Sequence, residues 1–165
     1  MSARALGGCV ALVVLTLDQA SKSWLLYGLK MQAHDRIAIT RFLDFYLLWN
    51  QGISFSLFQQ GTPAGRWALL GLTMTATVLL SVWLWRSKSR IVSAGLGAIV
   101  GGALGNGYDR FTYDAVVDFI DFHAFGYHPF VFNVADTAIT LGVILLLAEG
   151  LIFERRASTQ RGERT

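Results

Sequence analysis

Residues Trp67 to Trp85 read WALLGLTMTATVLLSVWLW, a run without one charged side chain and with tryptophan at both ends. In water this run has no polar face to present. As a helix rising about 1.5 Å per residue it matches a hydrocarbon core about 30 Å thick, and indole rings favour the two membrane interfaces. A chain built around this segment has to fold with lipid as part of its solvent.

Three further stretches have comparable length. Leu6 to Leu26 is apolar except for Asp18, Gln19 and Lys22 in its second half; Ile91 to Tyr108 is rich in small residues; Val134 to Phe153 carries Asp136 near its start and Glu149 near its end. With 53% hydrophobic and 15% charged residues over 165 positions and a mean hydropathy of +0.46, one membrane-embedded unit of residues 1–165 is expected, with spans at 6–26, 67–85, 91–108 and 134–153. A cleavable leader is the rival reading of the first span. No small-residue cleavage box closes that run, and charged residues follow it. The tetrapeptide LGGC ending at Cys9 precedes the apolar run, the wrong order for lipoprotein processing. As the single cysteine, Cys9 also rules out an internal disulfide and a cysteine cluster for metal.

Four spans put both ends of the chain on one side. Eight basic residues fall there, three of them in the tight loop RSKSR between the second and third spans, against six on the other side. The positive-inside tendency therefore predicts cytoplasmic termini. The net charge of +3 suggests no nucleic-acid partner, because no basic patch interleaves with aromatics. The outer segments are then Gly28 to Arg66 and Asp109 to Asn133. In the first, RIAITRFLDFYLLWN alternates imperfectly and fits strands or a half-buried segment at the membrane surface, with Thr62-Pro63-Ala64-Gly65 as a turn before the second span.

Several polar residues stand out against this background. Asp18 and Lys22, four apart, share a helix face and can pair, with Gln19 beside them. GGALGNGYDR, residues 101–110, ends a small-residue helix in Asn106, Asp109 and Arg110; Gly97, Gly101 and Gly105, spaced by four, predict close helix packing. These glycines match neither nucleotide-binding signature. Asp118 in VVDFIDF and Asp136 in FNVAD would meet if the second outer segment folds back. Two close acids in apolar surroundings resist double ionisation, and one shared proton leaves an acid and a base, the pair that amide hydrolysis needs. Capping, ion pairing and proton translocation compete for the same residues, and spacing alone does not choose. His34, His123 and His128 have no recognised metal-ligand spacing.

DQASK at 18–22, NQGISFS at 50–56, GGALGNGYDR at 101–110, VVDF at 116–119 and FNVAD at 132–136 occur in an order that resembles bacterial lipoprotein signal peptidase, also called signal peptidase II. The resemblance runs nearly the full length. It implies an all-α polytopic membrane protein of four transmembrane helices with a small extracytoplasmic β platform and a loop or helical lid. It implies an aspartic endopeptidase of the bacterial cytoplasmic membrane, with its site near the outer surface. Its partners would be membrane lipids and diacylglyceryl-modified prolipoproteins entering laterally, cut before the modified cysteine; no cofactor or metal is implied, and a monomer is expected. Asp118 and Asp136 match the catalytic positions. Asp18, Lys22, Asn50, Gly52, Asn106, Asp109, Arg110, Asn133 and Ala135 match supporting or substrate-binding positions.

Two departures from the pattern concern substrate fit: ISF at 53–55 replaces a small AAF, and Asp114 stands where the loop before VVDF often carries glycine. A small proton-coupled transporter relaying through Asp18, Asp118 and Asp136 is the functional alternative, and a structural membrane protein a third. The acids gather toward one surface instead of spreading through the membrane depth, which favours hydrolysis. Asp121 stays open. If VVDFIDF were helical, it would share a face with Asp118.

Overall fold

The structure is a computed structural model that describes residues 1–52 and 63–162. Four long helices, α1 (Ala3–Ser23), α2 (Pro63–Arg86), α3 (Arg90–Tyr113) and α4 (Val134–Gly162), alternate in direction, and all four contain a stretch long and apolar enough to cross a membrane. One π-helical turn, Trp24–Gly28, extends α1. Strands β1 (Arg36–Ala38) and β2 (Leu43–Asn50) join α1 to α2, and β3 (Val116–Phe122) and β4 (Val131–Phe132) join α3 to α4. The four form one antiparallel sheet in the order β1-β2-β3-β4 at a single end of the bundle. This is the expected polytopic membrane fold with a small sheet. The lid and the ISF segment lie outside the described residues.

The helices start and stop for local reasons. Ser2 caps α1 by accepting the Ala5 N–H, and Ser89 caps α3 by accepting the Val92 N–H. Asp114 ends α3 in the left-handed region at φ 63°, a conformation that glycine adopts without strain and Asp tolerates better than most.

Three boundaries move relative to the sequence expectation. The third helix continues to Tyr113, so Asp109 and Arg110, expected at the start of the outer segment, join Asn106 on its last turns. Pro63, Ala64 and Gly65 open α2 instead of forming a turn, since proline suits a first helical turn, where its missing N–H has no partner to lose. VVDFIDF, placed in an outer segment by sequence, is a strand flanked by β2 and β4. Val, Phe and Ile at five of the seven positions, the other two being Asp118 and Asp121, favour a strand, and pairing to β2 completes it.

Small residues let α3 fit between α1 and α4. A Cβ on Gly97 would collide with the Gly7 carbonyl of α1, and one on Gly102 would lie 2.6 Å from the Ala135 oxygen of α4. Without a hydrophobic drive in lipid, such backbone-to-backbone approach is what holds helices together. Beneath the sheet, Leu25, Met31, Leu47, Val117 and Phe119 form an apolar core that seats β2 and β3 on the end of α1.

Candidate active site

Asp118 and Asp136 come together where β3 meets the start of α4. Period-two alternation along β3 sends Asp118 to one face and Asp121, three residues on, to the other. Asp136 owes its orientation to a capping box at α4. Asn133 accepts the Asp136 N–H on Oδ1 at 2.9 Å, and Asp136 Oδ2 accepts the Asn133 N–H at 3.3 Å. Capping, a rival reading of FNVAD from sequence, therefore does hold for this acid, and the same box aims it at the site.

Because a backbone N–H can only donate, the Asn133 oxygen is fixed toward Asp136 and its amide must turn the other way. Nδ2 donates to Asp118 Oδ1 at 2.7 Å and to Asn106 Oδ1 at 3.1 Å. Asn50 is oriented likewise: Oδ1 accepts the Gly52 N–H at 3.0 Å, and Nδ2 donates to Asp118 Oδ2 at 2.8 Å. Asn106 Nδ2 donates to Asp136 Oδ1 at 2.8 Å. Each carboxylate thus receives two N–H donors, and one asparagine, Asn133, touches both acids.

Asp118 is buried and Asp136 half-buried. Burial pushes the Asp118 carboxyl up to about 6; the Asn50 amide pulls it down, and the Asp136 charge pushes it further up. Arg110 donates to the Asn106 carbonyl at 3.3 Å and lies within electrostatic reach of Asp136, Asp118 and Asp109.

A second, fully buried group stands behind this pair. Lys22 Nζ lies 2.8 Å from Asp18 Oδ2 and 2.7 Å from Asp109 Oδ2, joining α1 to α3. Gln19 donates to Asp109 Oδ1 at 2.9 Å and to the Gly105 carbonyl at 3.2 Å. The two carboxylates also hold backbone. Asp109 Oδ2 accepts the Val117 N–H at 3.1 Å, and Asp18 Oδ1 accepts the Ala135 N–H at 3.0 Å. Val117 precedes Asp118 and Ala135 precedes Asp136, so one lysine-centred cluster fixes the chain immediately before each acid.

The sequence-flagged residues converge in this region: Asn50, Asn106, Asn133, Asp118 and Asp136 in one network, and Asp18, Lys22 and Asp109 in the cluster behind it. The Asp18–Lys22 pair was legible from its spacing, but the third member, Asp109, was not, because only tertiary packing brings α3 to α1. Asp121 belongs elsewhere. It faces Asp44 across the β2–β3 ladder, and Arg36 Nη1 reaches both, 2.6 Å from Asp44 Oδ2 and 2.8 Å from Asp121 Oδ2. Arg36 holds the Asp44 carboxyl below the usual carboxylate range. The histidines also lie away from the acid pair: His123 and His128 stack at 4.6 Å, and His34 bonds Tyr46.

The sequence profile described as Signal peptidase (SPase) II matches residues 10–152, which includes every residue of this site. The chain belongs to the signal peptidase II family. A lipoprotein signal peptidase of Methylocella silvestris is 47% identical over 166 residues, covering 99% of this chain and 97% of its own; one from Beijerinckia indica is 46% identical over 154 residues, covering 93% and 92%. Two solved bacterial membrane enzymes, obtained by the in meso method, superpose with TM-scores of 0.74 and 0.70 at 28% identity. Each covers 88% of this chain, and the chain covers 92% and 87% of them respectively. This chain is thus a multi-pass membrane protein of that family in which the sheet and the adjoining helix ends jointly carry the polar network.

Proposed function

We propose that this chain is an aspartic endopeptidase that hydrolyses the peptide bond before the diacylglyceryl-modified lipobox cysteine of prolipoproteins, with Asp118 and Asp136 as its catalytic pair. The observation that carries the reading is two carboxylates joined through a single asparagine at the membrane end of α4, each taking two N–H donors. One carboxylate takes a proton from an attacking water while the other, protonated, gives one to the carbonyl oxygen. As the resulting diol collapses, the C–N bond breaks, the first carboxyl protonates the departing amine and the second regains a proton from a diol hydroxyl, with no covalent acyl-enzyme. An Asp118 carboxyl raised to about 6 lets a proton reside in the pair near neutral pH.

Asp18, Lys22, Asn50, Gly52, Asn106, Asp109, Asn133 and Ala135 hold the pair in place, while Arg110 positions substrate beside it. An apolar groove of about 400 Å³ runs from the exposed Leu141 of α4 past Phe130 and Phe132 to Asp136, which supports delivery of a lipid-modified peptide from the side. Both termini and the RSKSR loop face the cytoplasm, and the sheet lies at the outer surface of the bacterial inner membrane.

The test is cleavage by the purified protein in a membrane mimetic. Wild type, Asp118→Asn and Asp136→Asn are compared on a diacylglyceryl-modified lipobox peptide and on its unmodified counterpart. Cutting of the modified peptide alone, lost in both variants with folding retained, is expected. Normal cleavage by either variant would sink the assignment.

A further inference from the structure

We propose that the segment between β3 and β4 is an aromatic wedge seated in the headgroup–acyl boundary of the bilayer, with Phe125 at its tip. The inference begins with a residue in an unfavourable place. Ala124 and Tyr127 exchange both backbone hydrogen bonds, at 3.1 and 2.9 Å, across a two-residue turn in which Phe125 has φ 52° and Gly126 φ 78°. Positive φ at both central residues is the pattern of tight hairpin turns, and the first position is normally Asn, Asp or Gly. A bulky phenylalanine there is an outlier. It also gains nothing from the protein, since it is completely exposed at 105% of its reference area. A strained, wholly unpacked aromatic points to a surface outside the chain.

The stalk beneath this tip is tied to the sheet. The His123 and His128 rings stack, His128 Nδ1 lies 2.8 Å from Asp121 Oδ2, and the His123 N–H donates to the Phe42 carbonyl at 3.0 Å. Tyr127 and Phe130 are exposed beside Phe125, and no Asp, Glu, Lys or Arg occurs from Phe122 to Ala135. The occupant follows from continuity with the lipid-facing surface. Phe130 and Phe132 line the same groove as Leu141, which is exposed on a spanning helix about 10 Å, or seven residues at 1.5 Å each, from the start of α4. The root of the wedge therefore lies against a part of α4 that lipid covers. Exposed Trp24, Tyr27, Trp67 and Tyr108 occupy the same end of the other three helices, and amphipathic rings collect at that depth. The wedge completes this belt on the α4 side.

Site-directed spin labelling tests the proposal without reference to any reaction. Cys9 is the sole cysteine and is exposed, so the labelling background is Cys9→Ser. Nitroxides are placed by Phe125→Cys and, separately, Tyr127→Cys, with Lys88→Cys in the RSKSR loop and Ile144→Cys on α4 as water and hydrocarbon references. The protein is reconstituted in vesicles of phosphatidylcholine and phosphatidylglycerol with no peptide present. Collisions with oxygen should exceed those with a water-soluble nickel chelate at positions 125 and 127, shifting them toward position 144 and away from position 88. Nickel accessibility at 125 and 127 equal to that at 88 overturns the proposal. Shielding that develops only after a lipobox peptide is added also overturns it, by making the occupant a peptide instead of lipid.

Discussion

The Lys22 ammonium lies 3.1 Å from the side-chain oxygen of Asn106. An ammonium has only hydrogens to offer, so this contact fixes the amide and turns Nδ2–H toward Asp136. Lys22 touches neither acid of the pair, yet it sets which hydrogen-bonding group one of them meets. Through Asp18 and Asp109 the same cation also braces the backbone before both acids.

Lys22→Met should therefore remove turnover and destabilise the fold together. Asp18 and Asp109 would be left as buried carboxylates without their cation, a loss of about 3–5 kcal/mol for a broken buried pair. Thermal unfolding in detergent alongside peptide cleavage measures both. An unchanged unfolding temperature contradicts the bracing role.

Asp121→Asn should retain most of the wild-type turnover, in contrast to Asp118→Asn. The two acids are on opposite faces of β3, and Asp121 is engaged by Arg36 and His128. Single-turnover cleavage by the two variants provides the comparison. Complete loss in Asp121→Asn, with the fold intact, would return that residue to the active pair.

The Asp118 carboxyl should titrate at about 6 and move to lower pH in Asp136→Asn, because removing a nearby negative charge relieves the ionised form. Isotope-edited infrared spectroscopy of the carboxyl stretch reads this directly. Stability carries the matching sign. The folded carboxyl keeps its proton to higher pH than the unfolded one, which releases it near 3.8, so stability falls as pH rises between these values, by about 3 kcal/mol in total. Unfolding that grows more favourable with falling pH across this window in wild type, but not in Asp118→Ala, would contradict the buried-acid account.

Gly105→Ala should be far more damaging than Gly107→Ala. A Cβ at 105 would run into the Asp18 carboxylate, whereas one at 107 meets no atom within 4 Å. Expression, unfolding temperature and cleavage of the two variants give the contrast, and equal tolerance would show that α1 yields to the added methyl group.

Much of this architecture was legible in the sequence because lipid makes unusually strict demands. The uncharged Trp67–Trp85 segment, the glycine stripe of α3 and the strand pattern of 36–50 each satisfy a local rule, and each forms the expected element. Asp118 and Asp136 were singled out from residue type and resemblance, and the fold brings them into one network. What local rules missed was long-range. VVDFIDF is rich in strand formers, but the partner that makes it a strand lies some 70 residues earlier in β2, where no local rule reaches. The reach of Asp109 to Lys22, and of Arg36 to both Asp44 and Asp121, depends on packing that spacing cannot express.

The glycines on both flanks of α3 leave that helix no intermediate settings. A helix lined with long side chains can drift a fraction of a turn as rotamers adjust. One that meets its neighbours backbone to backbone has little such room, because a shift that brings a larger residue to the contact would drive its side chain into a space sized for hydrogen. The separation of Asp118 and Asp136 descends from that constraint, one acid tied through Asp109 to α3 and the other through Asp18 to α1. Stretching or thinning of the surrounding bilayer is therefore expected to tilt the bundle as a body and to leave the spacing of the two acids unchanged.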